Sequence, residues 1–226
     1  MGFKRILVAP QYATGEGLSR DLAGIGVLLA VTAAQKEPNI EDTLIAASIE
    51  GILEDDYRVL SLVVNWFEVH FERINVDRLT KIVGNSDNWK VKAWWTALAQ
   101  TKPQDWRFKR LQQIYTGDRF DLMGEGTSFQ IKRKGEDPRF SHTVLRVPDK
   151  LLRHRLSDIL PPQVLAKRHR AYYFRTMMGP SYRADMWALF EQEPELSSAE
   201  VARQTYGSFP SAWEVKRDLQ ICLGSR

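Results

Sequence analysis

The residues of this chain best placed for chemistry are a few acids and cations near glycine turns. Asp121 precedes the turn Gly124-Glu125-Gly126, and Gln130-Ile131-Lys132 follows it. On a strand–turn–strand, such an acid can hold Mg²⁺ while the lysine steadies an attacking water, the chemistry of metal-dependent phosphodiester hydrolysis. Gln130 stands where that chemistry needs a second carboxylate. Glu68, His70 and Glu72 alternate within a helical stripe, where residues two apart point away from each other, so they make a poor metal triad. Gly15-Glu16-Gly17 lacks the third glycine of a dinucleotide loop, and Gly84-Asn85-Ser86-Asp87 lacks spaced carboxylates; both read as turns. One cysteine, Cys222, excludes an internal disulfide and a cysteine zinc cluster. No metal, cofactor or catalytic residue is expected, and a non-enzymatic role is favoured.

The cations carry a stronger signal than the acids. Residues 101–183 hold 18 Lys+Arg against 8 Asp+Glu, whereas the segments on either side are each slightly acidic. Within 146–175 there are 8 Lys+Arg against 2 Asp, including Arg153-His154-Arg155 and Lys167-Arg168-His169-Arg170. The second cluster runs into Tyr172-Tyr173-Phe174, and aromatic rings beside cations can stack on exposed bases while the cations neutralise phosphate. Arg153, Arg155, Lys167, Arg168, Arg170 and Arg175 are therefore the expected phosphate contacts. Solvated surface charge over a buried aromatic core is the alternative.

The elements that position these groups are mainly helical. With 226 residues, 43% hydrophobic and 27% charged, the chain has the balance of packed globular structure. Its longest uncharged apolar run, 23–34, is shorter than the ~20 residues a bilayer requires, so no membrane span is expected. The opening residues fit neither a secretory leader nor a myristoylation site, and cytoplasmic residence is expected. After a short apolar opening, Ile6-Leu7-Val8, capping signals at Asn39 and Asn75 and the stripe Tyr57, Leu60, Val64, Phe67 and Phe71 predict a bundle of short helices. Further helices are expected over about 89–98 and 105–115. From Gly117 the pattern alternates through Phe120, Leu122, Phe129 and Ile131, then Thr143, Leu145 and Val147, which predicts a small antiparallel sheet.

Beyond Gly179-Pro180, Ser181 caps a helix bearing Tyr182, Met186, Leu189 and Phe190. Ser197-Ser198-Ala199-Glu200 is a capping box that starts a short second helix, closed by Gly207. Ser208-Phe209-Pro210 opens a third helix with Ala212, Val215, Leu219 and Cys222 on one face. The run Glu200-Val201-Ala202-Arg203-Gln204-Thr205-Tyr206-Gly207 resembles the second helix and turn of the winged helix-turn-helix superfamily of bacterial DNA-binding regulators. The resemblance covers about the last 45 residues, and residues 211–219 fall at its recognition helix. It implies base or groove contacts from Ser211, Lys216 and Arg217. The interval from alanine to glycine is one residue longer than usual, no wing is expected before the sequence ends at Arg226, and Glu214 and Asp218 offset Lys216 and Arg217.

The expected organisation is a helical bundle over 1–116, a small β element and basic helical connector over 117–179, and a helix-turn-helix-like unit over 180–226. The expected function is a nucleic-acid-binding regulator, with DNA or RNA as partner. A non-catalytic interaction subunit of a multi-protein bacterial system, contacting another protein or a second copy, is the alternative. A metal-dependent nuclease built on Asp121 and Lys132 comes third.

Overall fold

The computed structural model describes residues 12–223, and the apolar opening Ile6-Leu7-Val8 lies outside them. It is mainly helical, and the chain divides into two units, 12–162 and 163–223 among the described residues. No helix among these residues is long and apolar enough to cross a membrane.

The first unit is built around α2 (Ile40–Leu53). Its residues are apolar or small almost all round, so it is buried on nearly every side. It packs against α1 (Gly15–Gly24), α3 (Tyr57–His70), α4 (Val76–Asn85) and α5 (Trp89–Gln100). Asn39, Asp56, Asn75 and Asn88 each accept an amide of the first turn of α2, α3, α4 and α5, which fixes where those helices begin. The core is rich in tryptophan. The indole of Trp66 donates to the carbonyl of Ile25 at 2.8 Å, and that of Trp95 to Ser48 Oγ at 2.9 Å. The helix expected over 105–115 is instead two 3-10 turns, 106–108 and 111–113. Side chains of α5 explain this: Thr96 Oγ1 donates to the Leu111 carbonyl and Gln100 Nε2 to that of Gln112, which ties these carbonyls to α5.

The β element differs from expectation. β1 (Phe120–Asp121) and β2 (Leu145–Arg146) pair in parallel, with Phe120 opposite Leu145 and Asp121 opposite Arg146. The segment carrying Phe129 and Ile131 is not the second strand of an antiparallel hairpin but a helix, α6 (Gly126–Lys134). Gly124-Glu125-Gly126 leads into that helix, and Thr127 Oγ1 accepts the amide of Met123 at 3.0 Å. The alternation covers only two apolar residues, and the helix-forming run Gln130 to Lys134 outweighs it, with three cations in the last turn complementing the helix dipole. Parallel strands need a crossover, and α6 lies within it.

Residues 150–162 return to the bundle. Arg153 is hydrogen-bonded to Ser61 and Asn65, Leu28 N donates to Asp158 O, and Leu160 N donates to Gly26 O, both at 2.8 Å. Half of the expected connector therefore belongs to the first unit, and the division falls after Pro162 rather than at Gly179-Pro180.

The second unit comprises α7 (Pro162–Arg168), α8 (Arg170–Met178), α9 (Tyr182–Gln192), α10 (Ser198–Gln204) and α11 (Phe209–Leu223). The last three helices enclose Met186, Phe190, Val201, Ala202, Ala212 and Val215. Between α10 and α11 Tyr206 adopts φ +59°, and a Cβ at Gly207 would lie 1.9 Å from Met186 Cε. That turn thus presses directly onto α9. Ser197 Oγ accepts the Glu200 amide at 3.1 Å, and Ser208 Oγ accepts that of Ser211 at 3.1 Å.

Two outcomes test this packing. Ser197→Ala leaves the Glu200 amide without its acceptor and costs ~0.5–2 kcal/mol, read as a lower urea midpoint; an unchanged midpoint contradicts the cap. His70 is 1% exposed, and its Nε2 lies 3.0 Å from the Leu160 carbonyl, which can only accept. Burial, reinforced by Arg73, pushes the imidazole down to about 4 against that hydrogen bond. The unfolded chain takes up a proton below its own value near 6.5 while the folded chain does not. Stability is therefore full above that value, falls between about 6.5 and 4, and is ~2 kcal/mol lower at pH 5 from this group. His70→Gln, which keeps a donor without titrating, flattens the pH 7-to-5 slope of the urea midpoint; equal slopes contradict the assignment.

Candidate nucleic-acid interface

The cations of the basic third divide into those that hold the fold and those that face water. Arg119 donates to the carbonyls of Phe140, Thr143 and Leu145 at 3.2, 2.9 and 3.1 Å and pairs with Glu136. Arg139 grips both oxygens of Asp137 and reaches the Leu152 carbonyl at 2.7 Å. Arg146 pairs with Asp121 at 2.9 Å. Asp121, Glu136 and Asp137 are thereby neutralised within the fold.

The exposed cations lie on both sides of this stapled segment. Lys132, Arg133 and Lys134 end α6, and Lys150, Arg153 and Arg155 follow β2; all six are exposed. Main-chain hydrogen bonds hold two of them in place. The Arg153 amide donates to Ser61 Oγ at 2.9 Å and its carbonyl accepts from Asn65 Nδ2 at 3.0 Å, which fixes its backbone to α3. Lys150 sits at φ +64° in a turn closed by Leu151 N to Pro148 O at 3.2 Å. Asp149 N donates to Gly135 O at 2.9 Å, which ties that turn to the end of α6. Between α3, α6 and the turn lies a half-open cavity of about 310 Å³, lined by Tyr57, Arg58, Gln130, Lys134, Lys150 and Arg153 among others. Lys134, Lys150 and Arg153 make no ion pair among the described residues.

The residues expected from sequence are divided between the two units. Arg153 and Arg155 belong to the first unit, while Lys167 and Arg168 are exposed at the end of α7 in the second. Arg175 is corrected outright: it is 1% exposed and its guanidinium grips both oxygens of Asp185 at 2.7 and 2.9 Å, joining α8 to α9. Arg170 pairs with Glu191 and lies over the rings of Tyr173 and Phe174 at 4.4 and 5.1 Å, while Tyr172 is buried. The aromatic run is thus packing beneath a cation and not an open stacking platform. On α11, Lys216 Nζ donates to the Leu196 carbonyl at 2.8 Å and lies over Phe190. Arg217 pairs with Asp218 and lies over Trp213, and Ser211 shares a hydrogen bond with Ser208. The hydrogen bond from Arg183, with that from Arg217, holds the Asp218 carboxyl below the usual carboxylate range.

The nuclease arrangement is not formed. Gln130 and Lys132 lie on a helix where a strand was required, and Asp121 is engaged by Arg146. Sequence reasoning did not single out Lys132, Arg133 and Lys134 as one exposed cationic run, because a strand would have sent alternate side chains to opposite faces. The unbroken cation run was the signal that could have found them. It also missed Arg58 and Lys150, which no local spacing connects to Lys134.

The Arg175–Asp185 pair supplies a prediction. Asp185→Ala leaves a buried guanidinium without its carboxylate and costs ~3–5 kcal/mol in chemical denaturation; a loss no larger than that of an exposed-site variant such as Glu195→Ala contradicts the structural role. No protein-family model matches the chain, and neither a curated protein nor a solved structure matches it.

Proposed function

We propose that the protein binds nucleic acid through the cationic face formed by Lys132, Arg133 and Lys134 with Lys150, Arg153 and Arg155, Lys167 and Arg168 adding phosphate contacts. One observation carries this reading. Three acids of the segment, Asp121, Glu136 and Asp137, are consumed by Arg119, Arg139 and Arg146, so the six exposed cations outnumber the acids left among them, Glu125, Asp149 and Asp158, and keep a positive excess. Such an excess attracts phosphate whatever the base sequence. The resemblance of the last 45 residues to winged helix-turn-helix regulators supports the same partner. The engaged state of Lys216 and Arg217 assigns α11 a smaller share of the phosphate contacts. Residence is proposed to be cytoplasmic.

A second reading has its own support. Phe209, Trp213 and Ile221 recur at multiples of four residues along α11 and are 53, 53 and 74% exposed. An apolar stripe of this kind suits a protein partner, the role of an interaction subunit.

The two readings separate in one titration of the full chain with a labelled duplex and a single strand at two salt concentrations. Lys132→Glu with Arg133→Glu weakens binding at least about tenfold and lowers the salt slope by ~0.9 for each duplex phosphate no longer neutralised. Lys216→Glu with Arg217→Glu changes it by less than about threefold. Equal losses contradict the assignment of the face. A folded wild-type protein that binds neither probe near 0.15 M salt, roughly the physiological ionic strength, removes the nucleic-acid reading and favours the protein partner.

A further inference from the structure

The cavity between α3, α6 and the turn after β2 differs from the rest of the cationic face. Outside it, cations project from the surface; here Arg58, Lys134, Lys150 and Arg153 come from three separate segments to line one concavity. Asp149 also lines it, and Arg58 is drawn 3.5 Å from Asp56, so the positive excess rests on Lys134, Lys150 and Arg153. A backbone phosphodiester offers one charge, whereas a phosphate monoester offers nearly two at neutral pH and three acceptor oxygens. Three converging cations match the monoester better.

Two further observations point to a ligand. Gln130 lines the cavity, and its Oε1 is buried without a hydrogen-bond partner, an acceptor that rotation of the side chain toward the cavity would offer to an N–H or O–H group. Lys150 holds φ +64°, a conformation that glycine or asparagine would occupy with less strain. Backbone strain persists where the surroundings enforce it and clusters at ligand sites; here the Asp149–Gly135 hydrogen bond enforces it. The volume of about 310 Å³ lies at the small end of the range for small-molecule sites and exceeds what a phosphate alone needs.

We infer that this cavity binds a phosphate monoester together with part of the group that carries it. Lys134, Lys150 and Arg153 hold the phosphate, and Gln130 accepts a hydrogen bond from an amino or hydroxyl group. A free nucleotide and the phosphorylated end of a nucleic-acid strand share this chemistry. The inference deepens the proposed function and rests on it for the strand alone.

Full-length protein is titrated with adenosine 5′-monophosphate and adenosine, and with one single strand carrying either a 5′-phosphate or a 5′-hydroxyl. At least one phosphorylated probe binds about tenfold or more tightly than its unphosphorylated counterpart. Lys150→Gly combined with Arg153→Gln erases that preference and keeps the thermal midpoint within a few degrees because glycine suits the turn; both residues also belong to the cationic face, so hydroxyl-strand affinity falls as well and the ratio between the paired probes is the readout. Preference for the phosphorylated strand alone assigns the ligand to a strand end. Preference for the monophosphate with no strand binding supports the cavity while removing the proposed function. Strand binding without preference in either pair overturns the inference and leaves the proposed function standing; binding of no probe overturns both. A preference that survives in a folded double variant also overturns it.

Discussion

Ser61 and Asn65, one turn apart on α3, hold the amide and the carbonyl of Arg153, and the exposed end of the basic third depends on that clamp. A chain segment so rich in cations repels itself, and only fixed acceptors can hold it in a compact unit. The clamp ties the main chain at two points, and the Leu160 and Asp158 carbonyls add contacts to His70 and Leu28 farther along. Because the 150–162 stretch is anchored to helices of the bundle, its cations are presented from a rigid frame and not from a tether.

The second constraint is how charge is partitioned. Arg119, Arg139 and Arg146 each engage a carboxylate, and Arg119 and Arg139 also reach main-chain carbonyls, as a planar guanidinium can and an ammonium does less well. Arginines thus serve as staples inside 119–152, while lysines dominate the exposed run on α6. The second unit follows the same rule: Arg175 is buried against Asp185, Arg170 is paired with Glu191, and Lys167 and Arg168 face water. Its three last helices close a small apolar core, and Lys216 and Arg217 are tied to Leu196 and Asp218.

Much of this was legible in the residues. Asn39 and Asn75 marked two helix starts because a side-chain oxygen is the natural acceptor for first-turn amides, and Ser197 marked α10 for the same reason. The period of Leu60, Val64 and Phe67 identified the buried face of α3. The β element was misread because Phe129 and Ile131 alternate over too short a stretch to outweigh the helix formers beside them, and Phe129 proves exposed. The role of Arg175 was hidden because its partner lies ten residues away across a glycine turn, and a cation in a basic run looks the same whether buried or free. The cavity was illegible for a different reason. Tyr57 and Arg58 stand some 90 residues from Lys150 and Arg153, and only the return of the chain onto α3 brings them together.

The central claim is that the cations ending α6 and following β2, and not those of α11, meet the polyanion. Lysine acetylation footprinting of the full chain, with and without a bound single strand, tests it most directly, since each lysine reports its own exposure. The account predicts protection of Lys132, Lys134 and Lys150 with Lys216 unchanged. Protection of Lys216 while those three remain fully reactive would contradict it.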